Sequence, residues 1–229
     1  ASSLVMSSAA ASMATRPSSI KLFYGDMPFW RAEVVRLAFF VGDVPFEDIR
    51  DQKRVDLAAA GKLTFGAVPV MEVDGRMLSQ TQAMAVYAAK LAGLQPEDPW
   101  DAAKVDECLN GCTDVTTTIG ATFRLSDVEK IAAREALIAA DGRLTMHLGG
   151  LEKICAENGS CGHAVGSSLT VADFAIWRLV GWLASGVIDG IPPNYIASTF
   201  PRLWQLHQAV DALPKVDEWK QAHPRHYRG

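Results

Sequence analysis

Strand-like patterns occur only in the first third of the chain, and this asymmetry limits the folds that it can adopt. Residues 20–24 are a short, mainly apolar stretch that predicts a buried strand, and residues 46–50 predict a second strand with apolar anchors at Phe46 and Ile49. A helical stripe lies between them. Farther along, Asp74-Gly75 is a strong hairpin signal between two further strands. No alternating strand pattern recurs after residue 93. The sequence therefore predicts an α/β unit followed by an all-helical unit.

The α/β unit is predicted over residues 20–93, with the element order βαβ-α-ββα. Its first helix has an apolar stripe that recurs every three or four residues, formed by Trp30, Val34, Leu37, Ala38 and Val41. Two further helices are expected over residues 55–62 and 82–91. Residues 94–100 have the composition of a linker, because Pro and polar residues dominate there.

The second unit, residues 101–229, is predicted from helix signals alone. One long helix is expected over residues 102–123. Another is expected to start at the capping box of Ser126 and Glu129 and to run to about residue 157. Thr170 and Asp173 form a second box, in which each side chain can hold the other residue's backbone amide.

Composition excludes several classes of protein. The chain has 229 residues, of which 49% are hydrophobic and 21% charged, so it can bury a substantial core. Lys and Arg number 22 against 26 Asp and Glu, which gives a net charge of -4 and argues against a nucleic-acid partner. No apolar stretch approaches the roughly 20 residues of a membrane span. We therefore expect neither nucleic acid nor membrane as a partner.

The N-terminal segment and the cysteines indicate the cellular compartment of the protein. Residues 1–19 are rich in Ser and Ala, and we expect a disordered tail or the remnant of an organelle transit peptide. Cys108 and Cys112 lie one helical turn apart, but no His or second Cys pair completes a metal site. The four cysteines are too few for a disulfide scaffold. We expect reduced thiols, no metal and a cytoplasmic location, or a plastid or mitochondrion if the tail is a transit remnant.

Five stretches share an order and spacing that point to one family. They are KLFYGDMPFWRAEVVR (residues 21–36), LTFGAVPVMEVDG (63–75), LSQTQAMAVYAAKL (78–91), LTVADF (169–174) and FPRLWQL (200–206). Together they resemble the cytosolic glutathione transferases of the Tyr type, most of all the sigma class, which includes glutathione-dependent prostaglandin D synthases. The resemblance covers residues 20–224. It implies a thioredoxin-like N-terminal domain, an all-helical C-terminal domain and a homodimer.

The resemblance implies a glutathione site at two places in the α/β unit. The Val68–Pro69 bond is expected to be cis, with the backbone of Val68 pairing with the cysteinyl part of glutathione like an added strand. Gln80 and Thr81 begin a helix whose free amides suit the γ-glutamyl carboxylate. Thr81 also serves as a capping residue on the simpler interpretation.

Tyr24 matches the catalytic tyrosine of the resembled family. A free thiol has a pKa of about 8.5, and a phenol that donates to the sulfur favours the thiolate. Lowering the pKa by about two units needs roughly 2.7 kcal/mol, which one hydrogen bond to a charged group can supply. A tyrosine at a strand end is otherwise a common core residue.

Two charged residues are assigned to the site by resemblance. Arg31 matches an arginine near the active site, although a surface ion pair with Glu33 is an alternative. Asp114 matches an acid that reaches across the dimer to the glutathione amino group, although it would also suit a solvated helix face. The family's lysine is missing from its usual position, and Lys62 or Lys53 could replace it.

The segment after Tyr24 departs from the sigma pattern. It has one residue more before Arg31, and Met27 stands where glutaredoxin-like proteins have a reactive cysteine, which excludes thiol–disulfide exchange there. The resemblance places the second-substrate pocket between residues 25–30 and the helix around residues 116–123. A run of threonines replaces the bulky residues of the prostaglandin synthases in that helix.

These observations lead to three functional hypotheses. The first is a glutathione transferase that joins glutathione, as co-substrate, to a hydrophobic electrophile and serves in detoxification. The second is a non-catalytic binding or structural protein on the same scaffold, because fold does not fix function. The third is a glutathione-dependent isomerase.

Overall fold

The computed structural model describes residues 16–159 and 162–227. The strands are β1 (Ile20–Phe23), β2 (Glu47–Ile49), β3 (Val70–Val73) and β4 (Arg76–Ser79). The helices among them are α1 (Trp30–Val41), α2 (Arg54–Ala59) and α3 (Thr81–Ala92). The helices that follow are α4 (Pro99–Gly120), α5 (Asp127–Leu137), α6 (Arg143–Glu157), α7 (Val171–Ala184), α8 (Tyr195–Thr199), α9 (Pro201–Asp211), α10 (Pro214–Ala222) and α11 (Pro224–Tyr227).

The four strands form one mixed sheet in the order β2-β1-β3-β4. β1 and β2 are parallel, whereas β1–β3 and β3–β4 are antiparallel. The β3–β4 turn is the predicted Asp74-Gly75 hairpin, and both residues have positive φ angles of 47° and 78°. This sheet with its three helices, followed by helices alone, confirms the predicted fold class.

Two boundaries differ from the predicted ones. Residues 1–15 of the predicted tail lie outside the described residues, but the amides of Ser18 and Ser19 each donate to the Asp74 carboxylate at 2.9 Å. The last residues of that segment are thus held beside the β3–β4 turn, at one end of the sheet. α4 begins inside the predicted linker, because Pro99 occupies its first turn and the Asp98 side chain accepts the Asp101 amide at 3.0 Å.

Helix α1 is buried on every face. Eight consecutive residues of α1, from Ala32 to Phe39, are buried, because the helix packs against α3 on one side and α7 on another. Its C-cap is Gly42, as predicted. A side chain at Gly42 would bring its Cβ to 2.4 Å from the Cβ of Ala92, so only glycine fits between α1 and the end of α3.

The helical part contains both predicted capping boxes. At the start of α7, Thr170 and Asp173 are buried and hold each other's backbone amides. One Asp173 oxygen accepts the Thr170 amide at 2.7 Å, and the other accepts the Ala164 amide at 2.7 Å. Asp173 therefore fixes the preceding loop as well as the helix. The box of Ser126 and Glu129 opens α5 and is exposed.

The single helix predicted from Ser126 to about residue 157 is wrong. The structure has two helices there, α5 and α6, separated by residues 138–142. Gly142 is the N-cap of α6, and a Cβ at this position would lie 2.3 Å from the Leu137 carbonyl oxygen. The tight approach of the two helix ends breaks the run.

The cysteines are buried where the structure describes them. Cys108, Cys112 and Cys155 are free, and burial raises the pKa of each thiol, to about 12 for Cys108. Cys161 lies outside the described residues. Over residues 16–159 and 162–227, no helix has both the length and the apolar character needed to cross a bilayer.

Candidate active site

The candidate site begins where β1 ends. Tyr24 follows the last residue of β1, and its backbone amide donates to the Ile49 carbonyl of the neighbouring strand at 3.1 Å. The ring is half-buried, and the Arg36 guanidinium carbon lies 5.9 Å from its centroid. The parallel pairing of β1 with β2 thus fixes the backbone of Tyr24 at one end of the sheet.

A second group of predicted residues forms a cradle beside this sheet end. The Val68–Pro69 bond is cis, and it precedes β3 directly. Gln80 precedes α3 with a φ of +74°, a left-handed conformation that is strained for a non-glycine residue and often marks functional sites. Thr81 is the buried first residue of α3. Gln80 and Thr81 thus lie at the N-terminus of α3, where the first backbone amides of the helix have no intrahelical partner.

A cavity of about 80 Å³ joins these residues. Its lining consists of Arg31, Phe65, Ala67, Val68, Pro69, Ser79, Gln80 and Thr81. Val68 and Pro69 come from the loop before β3, and Gln80 and Thr81 come from the start of α3. With Arg31 from α1, the structure thus brings together five of the predicted glutathione-binding residues around one concave surface.

Arg31 connects this cavity to Tyr24. It projects from the first turn of α1, lines the cavity, and its guanidinium carbon lies 5.5 Å from the centre of the Trp30 ring. Burial lowers the pKa of Arg31 from its usual value, and the Tyr24 phenol opposes that shift. Its expected alternative partner, Glu33, pairs instead with Arg36 at 3.0 Å. Arg31 therefore faces the candidate site as a positive charge.

The electrostatics at Tyr24 suit a hydrogen-bond donor. Burial raises the pKa of the Tyr24 phenol, while the charges of Arg31 and Arg36 oppose the increase. The phenol thus keeps its proton at neutral pH. A protonated phenol and a nearby guanidinium can both stabilise an anion such as a thiolate.

Asp114 does not join this cluster within one chain. It is exposed on α4 and lines a different groove of about 390 Å³ between α4 and α6. Its neighbour Thr113 accepts a hydrogen bond from Gln82 of α3 at 2.6 Å. Asp114 therefore lies on the same side of the fold as the start of α3 but points to a separate surface groove.

Part of the expected second-substrate pocket is packed rather than open. The Trp30 indole donates to the Thr116 hydroxyl at 2.7 Å, and both side chains are buried. Thr116 itself donates to the Cys112 carbonyl at 2.7 Å. Thr116 thus serves the contact between α1 and α4, whereas Thr117 and Phe123 are exposed.

Some site residues were not predicted from the sequence. Ser79 lines the cavity, and its buried hydroxyl has no hydrogen-bond partner among the described residues. The sequence signal for Ser79 as a site residue is its position directly before Gln80 and Thr81. Lys62, one candidate for the missing lysine, instead donates to Glu72 at 2.6 Å. Over the described ranges, no three His, Cys, Asp or Glu side chains gather as metal ligands would.

Comparisons with known proteins identify the family to which this chain is similar. A family model described as "Glutathione S-transferase, C-terminal domain" matches residues 113–223. The chain is 30% identical over 200 residues to Glutathione S-transferase 1 of Ascaris suum, covering 84% of this chain and 91% of that protein. It is 29% identical to hematopoietic prostaglandin D synthase of Gallus gallus, covering 85% and 92%.

A solved structure gives the same picture of the fold. The structure of a monomeric glutathione S-transferase from the hookworm Necator americanus superposes with a TM-score of 0.72 at 27% identity. The match covers 92% of this chain and 100% of that one. Both the sheet and the helical half are therefore included in the match.

Proposed function

The chain belongs to the glutathione S-transferase family, and on that premise we propose that it conjugates glutathione to hydrophobic electrophiles. The observation that carries this proposal is the shared position of Tyr24, Arg31 and the cavity at one end of the sheet. We further propose that residues 20–93 bind glutathione, that the linker ends at residue 98, directly before α4, and that the helices from Pro99 onward complete the electrophile site.

Glutathione would lie along the cradle. The backbone of Val68, next to cis-Pro69, would pair with the cysteinyl unit, because its N–H and C=O precede a strand and can extend the sheet. Gln80 and Thr81 would hold the γ-glutamyl carboxylate at the start of α3, where unpaired amides meet the positive end of the helix dipole. The unpartnered Ser79 hydroxyl would supply a further donor.

Tyr24 would activate the thiol. Its phenol would donate to the glutathione sulfur, and Arg31 would add a positive charge nearby. Both favour the thiolate over the thiol and so raise the fraction of the nucleophile at neutral pH. The thiolate would then attack an electrophilic carbon, forming a C–S bond as the leaving group departs with its electron pair. Holding the thiolate and the electrophile next to each other in the site would raise the rate further.

The class of transferase and its biological role are narrower proposals than the reaction itself. We assign the chain to the sigma class, supported by its similarity to hematopoietic prostaglandin D synthase and by Tyr24 and Arg31 in the matching segment. A role in detoxification follows from conjugation of hydrophobic electrophiles. A glutathione-dependent isomerase is the second candidate, since the same relative is named a prostaglandin D synthase.

The test is to titrate bound glutathione by the ultraviolet absorbance of its thiolate and to assay conjugation of an activated chloronitrobenzene. We expect a thiol pKa at least about one unit below the free value near 8.5, together with conjugate formation. Binding with an ordinary thiol pKa and no conjugate would contradict the proposal and favour a non-catalytic protein. Faster turnover of a prostaglandin endoperoxide than of the chloronitrobenzene would favour the isomerase.

We also propose a homodimer, in which Asp114 would reach the glutathione of the partner subunit. Phe65 supports it, because this side chain is 65% exposed at the rim of the cavity, where a partner surface would cover it. The groove beside Asp114 exposes Met146 and offers a complementary apolar surface. The relative from Necator americanus is described as monomeric, so the oligomeric state of this chain has to be measured.

We expect Phe65→Ser to weaken the dimer at least about ten-fold, since a central exposed aromatic often carries much of the interface energy. Light scattering across a dilution series would measure this, with the wild type near twice 24.7 kDa. Val187→Ser is the matched control, because Val187 is similarly exposed at 70% but lies far along the chain after α7. A wild type that is monomeric at every concentration would contradict the dimer.

A cytoplasmic location is the last proposal. Cys108, Cys112 and Cys155 are free and buried, as is typical of proteins kept in a reducing compartment. A fluorescent fusion of the whole chain would test it, and accumulation in an organelle would favour the transit-peptide interpretation of residues 1–19.

A further inference from the structure

The loop that follows Tyr24 is tied to the far end of the chain. Residues 25–29 connect β1 to α1 and contain the extra residue that departs from the sigma pattern. Four residues near the C-terminus, which we name the C-terminal clamp, contact this loop or the helix that it enters. The clamp consists of Trp219, Arg225, His226 and Tyr227.

The centre of this connection is Glu33, a carboxylate that is buried in the first turn of α1. One of its oxygens accepts hydrogen bonds from the Trp219 indole at 2.6 Å and from the Tyr227 phenol. Burial raises the pKa of the Tyr227 phenol, and the charge of Glu33 raises it further, so Tyr227 remains a donor. Its ring also packs on Trp177, with centroids 5.9 Å apart.

Arg36 carries the connection from Glu33 to the loop. Its guanidinium is fully buried and donates to the second Glu33 oxygen at 3.0 Å. The same group donates to the Met27 carbonyl at 3.0 Å and to the Gly25 carbonyl at 3.2 Å. Arg36 Nε also donates to Asp48 at 3.1 Å. The carbonyl of the residue directly after Tyr24 is therefore held by an arginine that Glu33 and Asp48 position together.

A second tie reaches the loop from outside. Asp26, at the loop surface, accepts hydrogen bonds from Arg50 at 3.1 Å and from Arg225 at 3.0 Å, and its carboxylate lies 2.9 Å from the His226 ring. The hydrogen bonds with His226 and Arg50 hold the pKa of Asp26 below its usual value. Surface pairs of this kind contribute little singly, so the buried Glu33 contacts are the stronger tie.

We propose that Trp219 and Tyr227 of the C-terminal clamp are positioning residues for Tyr24, acting through Glu33 and Arg36. This inference rests on the proposed role of Tyr24 in thiol activation. A hydrogen bond to sulfur depends on the direction of the phenol, and a lengthened loop leaves that direction less constrained. The buried contacts replace the lost constraint, so the end of the chain sets the alignment of a residue near its start.

The test uses Tyr227→Phe, which removes only the hydroxyl and keeps the ring on Trp177. We expect the pKa of the bound glutathione thiol to rise by about half to one unit, and kcat/KM at about pH 6.5 to fall roughly three- to ten-fold, with KM for glutathione unchanged. We also expect faster amide exchange in residues 25–29. The double variant Trp219→Phe/Tyr227→Phe should enlarge all of these changes, because it removes both donors to one oxygen.

The matched control is Tyr195→Phe. Tyr195 also shares a hydrogen bond through its hydroxyl, with Thr145 at 2.7 Å, but it lies in α8 away from the loop. This variant should lower stability without changing the thiol pKa. Loss of stability with unchanged loop exchange and thiol pKa in both Tyr227 variants would overturn the inference. An ordinary thiol pKa in the wild type would refute the proposed function instead. Amide exchange in residues 25–29 of the Tyr227 variants would still show whether the clamp holds the loop.

Discussion

Tyr24→Phe is expected to lower kcat/KM for conjugation about 50-fold at about pH 6.5, because a rise of the bound thiol's pKa by about two units to the free value would cut the thiolate fraction from about one half to about one hundredth. The structure makes Tyr24 the phenol that shares the cleft with Arg31, at a strand end whose backbone is fixed by the Ile49 carbonyl. Removing one oxygen leaves the ring and the fold intact, so the loss should fall on the chemical step rather than on glutathione binding.

The pH profile separates this mechanism from general damage. In the wild type, activity should rise through the lowered thiol pKa and then level off. In Tyr24→Phe it should rise through the ordinary thiol pKa of about 8.5, so the two enzymes should converge at high pH. Tyr87→Phe, a change of the same kind on α3, is the control and should leave the profile in place. A uniform loss at every pH would contradict thiolate stabilisation by Tyr24.

The second large effect concerns stability. Asp173→Ala should reduce the free energy of unfolding by about 2–6 kcal/mol, because the buried amides of Ala164 and Thr170 would each lose their acceptor at about 1–3 kcal/mol. A protein of this kind has only about 5–15 kcal/mol in total, so the variant approaches the unfolding threshold. The midpoint of urea denaturation is the measurement. Thr170→Ala, which loses fewer contacts, should fall between the wild type and Asp173→Ala.

Glu129→Ala provides the comparison, because Glu129 occupies the same position in the exposed capping box of α5. Its partners can turn to water when the carboxylate is removed, so only a small shift of the midpoint is expected. Equal losses in the two variants would show that burial of the box contributes nothing.

The fold could be predicted from the sequence wherever its signals are local. The Asp74-Gly75 turn, the Gly42 C-cap and the capping box at Thr170 each depend on residues close in the chain, and the structure contains all three. The break between α5 and α6 was missed because the residues before Gly142 favour helix. Asp141-Gly142 is nevertheless a turn dipeptide like Asp74-Gly75, and the two carbonyls 2.3 and 2.6 Å from a Cβ built at Gly142 show that only glycine fits there.

The candidate site divides in the same way. The expected residues of the cradle do line one cavity, since family motifs preserve their order along the chain. The clamp could not be foreseen, because Tyr227 and Glu33 lie 194 residues apart and nothing in the sequence around Tyr227 indicates a partner in α1. Glu33 was considered only as a partner for Arg31, and its burial against Arg36 depends on packing between the two halves of the chain.

The burial of α1 on every face bears on how proteins of this architecture can be recombined. The composition of the linker suggests a boundary between two exchangeable halves, yet α1 contacts the helical half directly. The Trp30 indole donates to Thr116, and the Pro28 carbonyl, shortly before α1, accepts a hydrogen bond from Arg178 at 2.5 Å. A chimera joined at the linker would place α1 of one parent against α4 and α7 of another and mismatch both contacts. Substitutions in α1 are therefore expected to be accompanied by compensating substitutions in α7. In a chimera, exchange of α1 together with α7 and the C-terminal clamp would preserve more of the packing than exchange of either half.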